Sequence, residues 1–379
     1  MLLFERSRSR NSDTMSSLSR SRKTTVLNGL VGTLPKELSA LTTLTGLGSI
    51  ANFISGSIPN EYESLTNLKT LFLGLNLLTG PVPKWIAHEK MADLSFVYLS
   101  DNFLTGTIPW IKSEARKNTI TVLALDDNNL DGSLNIAWQL PNLLVLYLEQ
   151  NNLNGTLPSS IVATNPKLIE LDISENFVHG ALPSDWYKLT DLEILDLHGN
   201  NLSNLIPSSQ DLTTFNTESK LKFIGFQDNE LSGKIPPSLA YDCPGLVHLD
   251  VSNNFLTGTI PFELSTLGQE LHYLFVGENN FTPGPFPTFI HDNMLALREL
   301  EMQDASLTGQ IPAGISSMTN LILLDLSRNS LAGAVPAEIT QNLENLQFLL
   351  LNDNNLNGQA PGLGKMNRLR KYRRYYRFC

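Results

Sequence analysis

Apolar residues recur along this chain in a unit of about 25 residues. The segments LKTLFLGLNLLTGPVP at 68–83, LVHLDVSNNFLTGTIP at 246–261 and LILLDLSRNSLAGAVP at 321–336 share it. Each segment begins with LxxLxL, in which apolar and polar positions alternate. Because successive side chains of a strand point to opposite faces, this alternation predicts a short strand with one buried face.

An asparagine follows each predicted strand at a regular interval. Its amide can bond to backbone groups of neighbouring turns that would otherwise be buried without a partner. We therefore interpret these asparagines as structural, and note that Ala305 takes the place of one of them. The positions are Asn52, Asn76, Asn102, Asn128, Asn151, Asn176, Asn200, Asn229, Asn254, Asn279, Asn329 and Asn354.

The glycine and the proline of each repeat also have a physical role. A glycine permits a tight bend after the next apolar residue, and the proline of the following IP pair fixes φ where the outer segment begins. A single repeat cannot bury its apolar face, so neighbouring repeats must stack. The sequence predicts an α/β repeat solenoid of about 13–14 repeats over 24–364, with parallel strands. The longer interval between Asn200 and Asn229 predicts an added loop around Ser208–Ser219.

The pattern LxxLxLxxNxLxGxIP resembles the plant-specific leucine-rich-repeat class, over residues 28 to 361. This class includes receptor-like kinase ectodomains, receptor-like proteins and polygalacturonase-inhibiting proteins. The resemblance implies a right-handed superhelix with a concave parallel β-sheet that carries the ligand surface and with short 3-10 or helical outer segments. The cysteine pairs that usually close both ends of the class do not occur here, since the chain has only Cys243 and Cys379.

Charge is unevenly distributed along the chain. The net charge is -10, but the Ser/Arg-rich segment 1–23 carries +4 and the segment 365–379 carries +7, which leaves -21 on 24–364. An acidic body argues against nucleic acid as the ligand, because phosphate binding needs a basic face on the folded part. We interpret 1–23 as a disordered tail and 365–379 as a basic tail, for which contact with an anionic membrane is an alternative.

The sequence is compatible with two cellular locations. The resemblance implies a cell-surface or secreted protein. The first residues, MLLFERSRSR, have only about four apolar residues before Glu5, whereas a signal peptide needs about 7–15. No stretch reaches the roughly 18 apolar residues of a membrane span. Both observations favour a chain without targeting, and the oligomeric state is not specified.

Concave-side positions of the predicted strands give the candidate ligand site. We expect an aromatic platform beside an acidic trough, and together these would bind a basic protein or peptide. In the alternative interpretation, the aspartates of the LDLS segments are ordinary surface residues of the repeat. The aromatic platform comprises Phe72, Phe96, Tyr98 and Tyr147. The acidic trough comprises Asp126, Asp127, Glu149, Asp172 and Glu175.

Catalytic chemistry is not expected. The segment GQAPGLGKM at 358–366 has the wrong glycine spacing for a phosphate loop, the six histidines are scattered, and no kinase motif occurs. We predict no catalytic residues, no metal and no cofactor. The function indicated is ligand recognition by a receptor-like ectodomain in signalling or defence. The alternatives are an inhibitor of a secreted polysaccharide-degrading enzyme and an intracellular scaffold.

Overall fold

A continuous parallel sheet forms one side of the protein. The computed structural model describes residues 29–87, 89–109, 119–134, 140–359 and 371–373. Within them, 14 short strands pair in chain order, each with the next. They span Gly46–Gly48, Thr70–Phe72, Phe96–Tyr98, Val122–Ala124, Val145–Tyr147, Glu170–Asp172, Ile194–Asp196, Phe223–Gly225, His248–Asp250, Tyr273–Phe275, Glu299–Glu301, Leu323–Asp325, Phe348–Leu350 and Lys371–Arg373. The predicted parallel sheet is confirmed.

A second strand follows most turns and builds three smaller parallel sheets. The first contains Val31–Thr33, Phe53–Gly56, Leu77–Pro81, Phe103–Thr107, Asn129–Ser133 and Asn152–Asn154. The second contains His179–Gly180, Asn201–Asn204, Glu230–Gly233 and Phe255–Leu256. The third contains Gly284–Pro285, Leu307–Gln310, Ser330–Gly333 and Asn355–Leu356. These sheets continue each repeat after its asparagine turn.

Short helices close the outer side of the repeats. The 3-10 helices span Lys36–Ala40, Asn60–Ser64, Lys84–Ala87, Trp186–Lys188, Phe262–Leu267 and Ala313–Ser317. The α-helices span Ile161–Thr164, Leu239–Asp242, Thr288–Asn293 and Ala337–Asn342. A proline precedes several of them, as at Pro261 with φ of -70° and Pro336 with φ of -60°. Proline therefore sets the backbone where the outer segment begins, as the IP pair predicts.

One apolar core runs through all repeats. The middle residue of each strand from Thr70–Phe72 to Phe348–Leu350 is buried, and in register Leu146 lies between Leu123 and Leu171. All three side chains are buried. Neighbouring repeats thus supply each other's core contacts, which is the stacking that a repeat of this size requires.

The structural role of the asparagines is confirmed by their bonding. Asn176 is buried, and its Oδ1 accepts a 2.9 Å hydrogen bond from the Leu153 amide of the preceding repeat. Its Nδ2 donates to the carbonyls of Leu148, Ile173 and Ser174. The same pattern recurs at the other asparagine positions except Asn52, whose Nδ2 donates to the Ser49 hydroxyl and the Ile50 carbonyl. Where Ala305 replaces the asparagine, the Oδ1 of Asn329 in the next repeat accepts from the Ala305 amide in addition to the Leu307 amide.

The predicted loop after Asn204 is also present. No strand or helix occurs between Asn204 and Phe223. The loop is held to the helix Leu239–Asp242, because the Ser209 amide donates to Asp242 at 3.0 Å and the ring of Phe215 stacks on Tyr241 at 4.7 Å.

The predicted tails extend past what the structure covers. The segment 1–23 and most of 365–379 lie outside the described residues, and the boundaries at 24 and 364 stay predictions. Across the described part of the chain, no helix has the length and apolar character needed to cross a membrane.

Candidate functional site

The candidate site lies on the concave sheet, where the first and third residues of the strands between Gly46 and Leu350 lie on the face opposite the buried middle residues. Phe72 and Tyr98 occupy third positions and pair in register, and Phe96 occupies a first position. Phe96 is exposed, whereas Phe72 and Tyr98 are half-buried. These three residues therefore lie on two adjacent strands of the concave sheet, and their role in ligand binding stays a prediction.

Tyr147 lies further along the sheet than its predicted partners. In register, Ala124 separates it from Tyr98. Its hydroxyl forms a short hydrogen bond to the carboxylate of Glu170 in the next strand. Tyr147 therefore links the aromatic platform to the acidic side chains that follow.

Glycine shapes this part of the surface. The ring of Tyr98 lies over Gly74, close enough that a Cβ at residue 74 would collide with it. At Gly48, a third position one strand earlier than Phe72, an added Cβ would instead make an ordinary 3.8 Å contact with the Phe72 side chain. The orientation of Tyr98 thus depends on the absence of a side chain at residue 74.

The acidic trough is less open than predicted. Asp126 and Asp172 are 4% and 8% exposed, so they do not present free carboxylates to a ligand, and the expectation for these two residues is corrected. The Ser100 hydroxyl donates to Asp126, and Ser174 donates to Asp172 through its hydroxyl at 2.6 Å and its amide at 3.1 Å. In the LDIS segment at 171–174 the serine therefore holds the carboxylate against its own backbone.

The other trough residues remain at the surface. Asp127 and Glu149 are half-buried, and Glu175 is exposed. Glu175 lies 3.4 Å from the His198 Nε2, while the other ring nitrogen of His198 lies 2.7 Å from Asp196 Oδ1. His198, which sequence reasoning did not select, therefore joins the acidic trough to the next repeat.

Burial shifts the pKa values of the central carboxylates. For Asp172 burial is the main cause and the charge of Asp196 adds to it, so that its pKa rises to about 7. Burial likewise raises the pKa of Asp250 to about 7. Burial opposes the charge on His198, but the hydrogen bond and charge of Asp196 outweigh it and raise the pKa to about 9. His198 is therefore a cation at neutral pH.

The sequence reasoning missed an aromatic group in the second half of the sheet. His248 stacks on Phe223 with 4.4 Å between ring centroids, and the rings of Tyr273 and Phe275 lie 5.4 and 5.2 Å from it. We call Phe223, His248 and Tyr273 the ring row. The signal was present in the sequence, because Phe223, His248 and Tyr273 each occupy the first position of a strand, as Phe96 does. The predicted aromatic platform nevertheless includes no residue from this half of the sheet.

Three carboxylates approach one another closely enough to surround a cation. The groups of Asp101, Asp126 and Asp127 lie within 4.8 Å of one another. The Ser100 hydroxyl already bonds to Asp126, and exposed acidic groups often lie this close without an ion. Proximity alone does not define a metal site here.

Comparisons with known proteins place this surface in context. The family described as Leucine Rich Repeat matches residues 142–163, 191–210 and 245–267. Receptor-like protein 39 of Arabidopsis thaliana is 33% identical over 166 residues, which are 42% of this chain and 17% of that protein. Receptor-like protein 41 of the same plant is 32% identical over 43% of this chain. The chain therefore matches under a fifth of the length of these relatives.

Solved structures agree with the solenoid. The Arabidopsis receptor kinase HAESA, solved with the peptide hormone IDA and the co-receptor SERK1, superposes with a TM-score of 0.78 and 31% identity, covering 90% of this chain and 55% of that one. The plant peptide hormone receptor RGFR1, solved with RGF2, gives 0.76 and 32%, covering 92% and 55%. The predicted fold is confirmed, and the repeat pattern, the solenoid and these matches support a plant-type leucine-rich-repeat family for this chain.

Proposed function

We propose that this chain recognises a protein or peptide on its concave face, as the ligand-binding part of a receptor-like protein in signalling or defence. The observation that carries the proposal is the contrast between positions of one strand. The middle residue is apolar and buried in repeat after repeat, as at Leu71, Leu171 and Leu274. The flanking concave residues instead change from aromatic to small to acidic, as at Phe72 and Asp172.

The buried middle residues of the strands therefore belong to the scaffold, and the varied flanking residues form the concave surface. All strands share one backbone geometry, so the scaffold does not require different side chains at the flanking positions. A ligand that lies across many repeats would require such differences. The solved relatives support this step, since HAESA and RGFR1 are described with bound peptide hormones.

The partner we propose is basic and has apolar side chains. Glu175 and Asp228 are exposed at the rim of the sheet, and Asp127 and Glu149 are half-buried next to the aromatic platform. Aromatic anchors with charged rims are where interface energy concentrates, and opposite charge speeds association. No catalytic role enters the proposal, and nothing in the geometry calls for a cofactor.

The experiment is selection from a displayed library of random short peptides, followed by affinity measurement on purified variants. Replacement of Tyr98 and Tyr147 by alanine should weaken the selected peptides at least tenfold, because each loses a large apolar contact. Phe262, which is 64% exposed on the outer 3-10 helix Phe262–Leu267, provides the matched control. Phe262→Ala should leave affinity unchanged. Equal losses in both variants, or no selected peptide at all, would count against concave-face recognition.

A further inference from the structure

Three exposed apolar side chains begin neighbouring strands of the first small sheet. Phe53, Leu77 and Phe103 are the first residues of three consecutive strands in that sheet. Each directly follows one of the structural asparagines and is 41–44% exposed. In each of these turns the strand comes after the concave strand, past the asparagine turn. These side chains therefore lie beside the concave face and outside the candidate ligand site.

A fourth apolar residue extends this surface. Leu75 precedes the buried Asn76, as Leu77 follows it, and Leu75 is 44% exposed. Its backbone is left-handed, with φ of 57°. The equivalent residues of the next two turns, Asp101 and Asp127, share this conformation, in which a short polar side chain can bond to the local backbone and a leucine side chain cannot. We call Phe53, Leu75, Leu77 and Phe103 the side patch.

The repeat does not require apolar residues at these positions. After later structural asparagines the chain has Asn129, Asn152, Asn201, Glu230, Asn280, Ser330 and Asn355. Phe177 and Phe255 are exposed too, but each stands between polar residues at the equivalent position of the adjacent turns. Single exposed apolar residues are common on protein surfaces, whereas a continuous group of them marks an interaction site. The grouping in the side patch therefore indicates a partner.

Charge favours a second copy of this chain as that partner. The segment 29–81 has two lysines and three glutamates, so its net charge is -1. Since 24–364 carries -21 and 24–28 carries no charge, 82–364 carries -20. Two copies therefore repel each other over most of the repeat region, and the repulsion is weakest where segment 29–81 of one copy faces that of the other. An uncharged apolar surface is also complementary to itself, which a symmetric dimer requires.

We propose that the side patch joins two copies of this chain in a symmetric dimer. Leu77 begins the middle strand of the three, so a two-fold axis close to it places Phe53 of each copy opposite Phe103 of the other. Each copy keeps its own concave face. The proposal is independent of peptide recognition, because the side patch shares no residue with the aromatic platform or the acidic trough.

The test is sedimentation velocity of the purified chain over a concentration series up to about 100 μM. The buffer contains about 0.5 M salt, which screens attraction between the basic segments 1–23 and 365–379 of one copy and the acidic repeats of another. The variants are Phe53→Ser, Leu77→Ser and Phe103→Ser, since the repeat already has a serine at the equivalent position in Ser330. Phe177→Ser is the matched control, because Phe177 occupies the same position and is 58% exposed. Melting temperatures show which variants are folded.

We expect the wild type to dimerise and each side-patch variant to have a dissociation constant at least tenfold higher, because a few residues at the centre of an interface carry most of its binding energy. Phe177→Ser should dimerise as the wild type does. If Leu77→Ser folds poorly, Phe53→Ser and Phe103→Ser give the same comparison. A wild type that stays monomeric up to about 100 μM would overturn the proposed dimer, and so would an equal loss of dimer in Phe177→Ser. Peptide selection on the concave face is a separate measurement, and either result leaves it unaffected.

Discussion

The buried asparagines that follow the strands, here called the asparagine ladder, contribute to the free energy of unfolding through their hydrogen bonds to the backbone. The substitution Asn176→Ala tests this contribution. The substitution removes four hydrogen bonds. Three of the groups keep another partner: the Leu148 carbonyl keeps Asn151, the Ile173 carbonyl keeps Asn200, and the Ser174 carbonyl keeps the Gln150 amide. Only the Leu153 amide loses its partner.

The expected cost follows from this inventory. A buried amide left without an acceptor costs about 1–3 kcal/mol, and a lost hydrogen bond whose acceptor keeps another donor costs at most about 0.5–1.5 kcal/mol. The carbonyl terms fall at the lower end of that range because each acceptor stays bonded. We therefore expect Asn176→Ala to destabilise the protein by about 2–4 kcal/mol.

The assay is urea unfolding followed by circular dichroism, with hydrogen exchange of the Leu153 amide as a local readout. Asn320→Ala is the matched control, because Asn320 is exposed and donates one 2.9 Å bond to the Leu295 carbonyl. The control should change stability by less than about 0.5 kcal/mol. If both variants unfold at the same urea concentration and exchange the Leu153 amide equally fast, the reasoning about the ladder is wrong.

Two further predictions concern the concave face. Because burial raises the folded-state pKa of Asp172 to about 7 and that of His198 rises to about 9, the folded state holds protons that the unfolded state releases, and stability is lost as pH rises through these values. Even one unit of pKa difference corresponds to about 1.4 kcal/mol of stability. The melting temperature of the wild type should therefore fall by about 3 °C more between pH 5 and pH 8 than that of Asp172→Asn. Parallel curves of melting temperature against pH would contradict this. Gly74→Ala should displace the Tyr98 ring and shift its aromatic NMR signals, whereas Gly48→Ala should leave them in place; unchanged Tyr98 signals in both variants would contradict the described packing.

Much of the fold could be predicted because the repeat imposes it locally. The alternation of LxxLxL fixes which residues point inward, so the buried Leu171 and the concave Asp172 follow from counting alone. The role of Asn176 was predictable in kind, since a polar residue buried at a regular turn must bond to the backbone. Its four partners, however, are divided between its own turn and the preceding repeat, and this division became visible only in the structure.

The site was predicted less completely, and particular contacts explain why. Asp172 reaches the concave face, but whether its carboxylate points to solvent depends on the bond to Ser174, which a strand pattern does not specify. The ring row depends on rings from three repeats meeting side by side, a contact between residues 25 positions apart such as Phe223 and His248. Sequence spacing places these residues at equivalent positions but does not determine how their rings pack.

The central claim, that ligands bind to the concave face, is tested most directly by site-specific photo-crosslinking to a selected peptide. A photoreactive phenylalanine analogue replaces Phe96 on the concave sheet in one protein and Phe262 on the outer side in another, since both side chains are exposed. The account predicts a crosslink from position 96 and none from position 262. A crosslink from position 262 alone would contradict it.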